Sequence, residues 1–273
     1  MVISTFARFP KPLNQSVSLC LIALLSIITL RWLQLPQLNQ LKRGSQDTST
    51  AELQQEIEAE KVRLNLLQKF PTFGFNNLLA DWVFLNFLQY FGDDEVRAKT
   101  GYQLSPDYFE VIIDRDPKFL QAYFFLSGST SIYAGIPQRS VALMEKGLQF
   151  LRPKAPPQSY YVWRYKGIDE LLFLGEGKAA QHSFEMAAEW ASYYNDAESK
   201  SVAAISRRTA QFLERKPDSR IAQANAWSLV LSNAIKSNDK GSAQLAINRI
   251  EALGGQVSIS EEGAVKVFLP KED

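Results

Sequence analysis

Apolar positions along the chain form one early run, then a series of helical stripes, then one short alternation at the end. Leu13 to Leu30 is 18 residues without a charge, and Val17 to Leu30 is strongly apolar. Arg31 and Trp32 follow, a cation and an amphipathic ring suited to a membrane interface. Counted to Leu35, the run is long enough to span a bilayer. The expectation is a single-pass transmembrane anchor over 13–35, with a basic segment at 1–12 before it and a polar linker at 36–50 after it. A cleaved signal peptide is the rival reading, but no small-residue cleavage site follows, since Arg31-Trp32-Leu33 come next. Arg8 and Lys11 face Arg31, Lys42 and Arg43 across the run, which leaves its orientation open.

The stripes begin at Ser49, which with Glu52 has the spacing of a capping box and predicts a helix to about Phe70. Leu53, Ile57, Leu64 and Leu67 fit either a short coiled coil or a helix packed on its own domain, with Glu60 interrupting the seam. Pro71 to Gly74 is a break. Residues 76–91 are apolar nearly all round, so that helix is either a central packing element or lies against a membrane surface or partner. Gly92 to Glu95 ends it. Further helices are predicted at 106–114, 197–214, 219–236 and 240–253. From Gln256 to Leu269 apolar and polar residues alternate around Glu262-Gly263, the pattern of a small β-hairpin. The domain reading is therefore a helical region at 51–253 and a tail at 254–273.

Between Pro117 and Trp190 two helix-turn-helix units carry small and large residues at repeating positions. Ala180, Phe184 and Ala187 share one helical face, where two alanines admit a neighbouring helix and the ring fills the gap. Their partner helix runs from about Tyr160 to Leu174 and breaks at Gly175-Glu176-Gly177. In the first unit Gly128 and Gly135 are seven apart, and Ser140, Met144 and Gly147 stand where the second has Ala180, Phe184 and Ala187. This pattern resembles the tetratricopeptide repeat (TPR) family, although Gly135 to Gly175 spans 40 residues where 34 is usual. The Pro-rich loop from Pro153 to Pro157 accounts for much of the surplus. Amphipathic helix pairs of any kind reproduce part of the pattern.

The fold expected is all-α, with antiparallel helix pairs stacked as a TPR-like right-handed superhelix behind one transmembrane helix. Gly128 is expected to meet a neighbouring helix. Carried over position by position, the likeness puts the inner wall at Ala122, Phe125, Ser129, Ile132 and Tyr133 in the first unit. In the second it puts Val162, Tyr165, Asp169, Leu172 and Phe173 there. Phe125 and Tyr165 occupy the place where chaperone-binding members have lysine, so a carboxylate clamp is missing and an apolar segment suits the wall. The wall is either free or filled by residues 53–70 or 76–91. Leu79-Ala80-Asp81-Trp82 and Tyr161 to Gly167 give the chain a further resemblance to membrane-anchored TPR proteins of oxygenic photosynthetic bacteria. That likeness implies help in assembling or stabilising membrane complexes.

Charge changes the picture little. Residues 1–43 hold five basic residues and no acid, and the whole chain sets 30 Lys and Arg against 29 Asp and Glu. The remainder is therefore weakly acidic, with no basic footprint for nucleic acid. Cys20 is the only cysteine and His182 the only histidine, which predicts no metal site and no imidazole-based catalysis. Gly177-Lys178-Ala179 lacks the earlier glycine and the Ser/Thr of a phosphate loop. No nucleophile and base can be paired, and no cofactor is implied. The functional expectation is a protein-binding scaffold, not an enzyme, held to the membrane by its N-terminal helix. The alternatives are a permanent accessory subunit of a membrane complex, or an enzyme whose site the sequence does not reveal.

Overall fold

The structure, a computed structural model, describes residues 22–29, 31, 49–217, 220–259 and 265–268. The chain divides into two units, Met1–Thr48 and Ser49–Asp273. In the first, residues 22–29 and 31 are helical with exposed side chains. Among the described residues no helix is long and apolar enough to cross a membrane, which overturns the single-pass anchor expected at 13–35 and the membrane localisation drawn from it. The rest of that stretch, the segment 1–12 and most of the linker 36–50 lie outside the described residues.

The second unit is built of packed helices. Helix α1 (Thr50–Lys69) starts on the expected capping box: the Ser49 side chain accepts from the Glu52 amide, and Glu52 accepts from the Ser49 amide at 3.0 Å. It rests on α3 (Asp94–Thr100) and α4 (Ser105–Arg115). Helix α2 (Asn76–Gly92) pairs with α4, and its Phe84 and Phe87 enter the largest core cluster. The short α3 was not expected; the Asp93 carboxylate caps it by accepting from the Val96 amide.

Two longer helices follow, each ending in a π-helical turn. Helix α5 (Leu120–Leu126) continues as π-helix over Ser127–Tyr133 and turns at Gly135 into α6 (Pro137–Leu148). Helix α7 (Tyr160–Asp169) continues as π-helix over Glu170–Leu174 and turns at Gly175 into α8 (Gly177–Ala191). Both turn glycines take positive φ, 67° and 72°, where an L side chain is strained. Helix α9 (Ala197–Arg215) packs along α8, burying Ala210 and Leu213 against Ala180 and Phe184.

The last helices do not simply extend this series. Helix α10 (Arg220–Lys236) pairs with α11 (Lys240–Ala252), and α10 lies against both π-helical turns. Trp227, Val230 and Leu231 of α10 form a separate core with Phe173, Ala246 and Ile250. The expected hairpin is present: β1 (Gln256–Ile259) pairs antiparallel with β2 (Val265–Phe268), Val257 opposite Val267.

Candidate functional site

The geometry of α5 and α7 follows from their π-helical ends. A π turn holds one residue more than an α turn, so positions before it are rotated by about 100° from where uninterrupted α spacing would put them. In the first turn the Ala134 amide reaches back to the Ser129 carbonyl at 3.0 Å, and the Ser129 hydroxyl donates to the Phe125 carbonyl at 2.7 Å. The outward face of α5 is consequently one residue earlier than the sequence predicts. Phe124 is 59% exposed, whereas Phe125 turns inward onto the Phe84 ring at 5.4 Å and the Phe87 ring at 6.2 Å.

The expected wall residues thus separate into several environments. Ser129, Asp169 and Phe173 are buried, as are Ala122 and Val162. Tyr133 is half-buried between the rings of Phe91 and Tyr102, at 5.0 and 4.9 Å. Ile132 and Leu172 pack into the α10 cluster, and the Phe173 ring meets Trp227 edge-on at 5.9 Å. Tyr165 is half-buried against the main core, with the exposed Phe124 at 5.9 Å on one side and the half-buried Tyr161 stacked at 5.8 Å on the other, so one edge of this ring path reaches the surface. The wall is therefore filled at one end by α2, one of the expected occupants, and at the other by α10. The span 53–70 rests elsewhere, on α3 and α4.

Gly128 also departs from expectation, because a Cβ built there meets nothing within 4 Å. The close approaches are at Gly167, whose Cβ would lie 3.2 Å from Ser183 Cβ and 3.3 Å from the Phe184 ring, and at Gly147, where it would run into the Tyr123 hydroxyl. The contact at Gly147 agrees with its expected place as the counterpart of Ala187, whereas Gly167 was missed because sequence reasoning kept α spacing through the π turn.

Beneath the ring path lies a buried polar seam. Asp169 Oδ1 accepts from the Ser127 hydroxyl at 2.8 Å, and Oδ2 accepts from Ser131 and Ser140 at 2.7 Å each. One carboxylate thereby ties α7 to the π turn of α5 and to α6. Burial pushes its pKa up to about 6, with the three hydroxyls opposing that rise. Beside it Lys166 Nζ lies 2.5 Å from Glu170 Oε1, while the Ser183 hydroxyl donates to Glu170 Oε2 at 2.6 Å. A buried charge needs both a partner and hydrogen bonds, and this pair has both. Asp169 is fully enclosed, and its three hydroxyl partners make the seam a tie between helices.

At the surface, Tyr161 donates to Glu198 Oε1 at 2.6 Å. Its proton is held above the ordinary tyrosine range by burial and then by that carboxylate; burial chiefly raises Tyr165, with Arg164 opposing the rise. Both rings are neutral at physiological pH, with apolar faces. His182 is exposed on α8, with its ring 5.9 Å from that of Trp163. An open groove of about 380 Å³ between α8 and α9 is lined by Glu185, Glu189, Glu214 and Arg207. Among the described residues no group of three or more His, Cys, Asp or Glu is placed to hold a metal ion.

No family model, curated protein or solved structure matches the chain.

Proposed function

We propose that this protein is a binding scaffold of tetratricopeptide type, which holds an apolar segment of a protein partner against Phe124, Tyr161 and Tyr165. The observation that carries the reading is the run of rings crossing from α5 to α7, from Phe124, 59% exposed, to the half-buried Tyr165 and Tyr161, while Phe125 is turned inward. The repeat assignment draws support from the register of α7 and α8. Once one residue is allowed for the π turn, Trp163, Gly167, Ala180, Phe184 and Ala187 fall on the family's spacing. Rigid aromatic side chains are favoured anchors in such surfaces because they bury much area for few rotatable bonds.

A photo-crosslinking residue at position 124 should give discrete adducts that the same residue at the exposed position 182 does not. For the partner segment identified in the adduct, Phe124→Ala with Tyr165→Ala should weaken binding by about tenfold or more while the fold persists. Equal crosslinking at both positions, or wild-type affinity in the double variant, would overturn the proposal.

A further inference from the structure

The six residues joining α1 to α2, Phe70-Pro71-Thr72-Phe73-Gly74-Phe75, present three phenylalanines to solvent. Phe73 is 86% exposed, Phe75 65% and Phe70 58%, and Leu66 and Leu78 on the adjoining helix turns are also exposed. Large apolar side chains gathered at a convex tip are costly in water unless something covers them.

The tip is held in shape. Phe73 and Gly74 both take positive φ, which reverses the chain, and the Phe75 amide donates to the Thr72 carbonyl at 2.9 Å. From behind, Arg115 Nη2 donates to the carbonyls of Leu67, Gln68 and Phe70 at 2.6 to 2.8 Å, and Nη1 to Asn76 Oδ1 at 3.3 Å. One guanidinium thus fastens the end of α1, the loop and the start of α2 together.

Charge near the tip is mainly positive, with the exposed Asp81 just beyond it on α2. From Lys61 to Ala80 the chain holds Lys61, Arg63 and Lys69 and no acid. Three residues after Arg115, Lys118 is exposed; Asp114 is paired with Lys146, and Asp116 accepts from the Lys118 amide but keeps its charge. We propose that the Phe70–Phe75 loop docks on an anionic lipid surface, its rings entering the headgroup boundary and Lys69 and Lys118 meeting lipid phosphates. A convex tip fits a fluid boundary without needing a matching pocket, and apolar rings ringed by cations suit such a surface. The contact is peripheral and needs no spanning helix. It is independent of the aromatic path on α5 and α7.

The test uses the full chain with Cys20→Ser and Phe73→Cys, an environment-sensitive dye on the new thiol, and vesicles of phosphatidylcholine with or without phosphatidylglycerol. The expected result is a blue shift on the mixed vesicles, with partitioning at least about fivefold weaker on phosphatidylcholine alone. Adding Phe75→Asp should abolish the shift without changing the melting curve, and the same dye at Lys200 should stay unshifted. No shift at position 73, an equal shift at 200, persistence in Phe75→Asp, or equal partitioning on both vesicles would overturn the proposal. So would a shift that grows with protein concentration in the absence of lipid, which would mark association between copies of the chain.

Discussion

The two halves of α5 and α7 can be set side by side. In their first halves Phe124 is exposed and Tyr161 and Tyr165 are half-buried beside it, with no later helix of the α10 cluster laid over them. In the π-helical second halves Ile132, Leu172 and Phe173 are covered by α10, with Trp227 against Phe173. Both halves carry large apolar side chains, so residue type does not separate them. What separates them is the return of a segment some 50 residues further along the chain. A surface on stacked helices is open or closed according to what the rest of the chain lays on it.

The largest effect should come from breaking the closed half. Trp227→Ala removes the central ring of the α10 core, and large-to-small changes at such sites cost about 3–5 kcal/mol. Urea denaturation should show that loss, together with dye binding to the uncovered Phe173 end. An unchanged midpoint would mean that α10 does not close the wall.

Asp169, where the two halves of α7 meet, gives the next. Its folded-state pKa of about 6 lies above the unfolded reference near 3.8, so the native chain holds this proton more tightly. Its contribution to stability is therefore present below about pH 4 and is lost as the pH rises through about 6. The size is roughly 3 kcal/mol for a shift of this extent, opposite in sign to a salt-bridged carboxylate. In Asp169→Asn the difference in stability between pH 4 and 7 should lack that component. Equal pH slopes in wild type and variant would contradict it.

The finest test sharpens the comparison with two glycines. Gly167→Leu pushes into Ser183 and Phe184 and should destabilise by about 1–3 kcal/mol. Gly128→Ala faces open space on the helix and should change stability by less than about 1 kcal/mol, toward greater stability. Thermal melts of the two variants should differ in sign.

Much of the helical layout was legible. The Ser49–Glu52 cap, the break at Pro71, the turns at Gly135 and Gly175 and the buried face of Ala180, Phe184 and Ala187 are local signals. Each depends on residues within a few positions of one another. The candidate site was legible only as a region. Phe124 was passed over for Phe125, and Gly128 was given a contact that belongs to Gly167, because nothing local marks a π turn. The nearest clue was the density of hydroxyls at Ser127, Ser129 and Ser131, two of which turn out to feed Asp169. The terminal apolar run shows the converse failure: hydropathy alone predicted a span that the described helix at 22–29 does not supply.

By itself the sequence determined where most of the helices lie and the pairing within the two central units, because periodicity and caps act over one or two turns. Only the tertiary structure decided the outward register of α5 and α7, the serine cradle of Asp169 and the closing of the wall by α10. Those depend on contacts between residues far apart in the chain, whose free energy appears only once the helices are packed and water has been driven from between them.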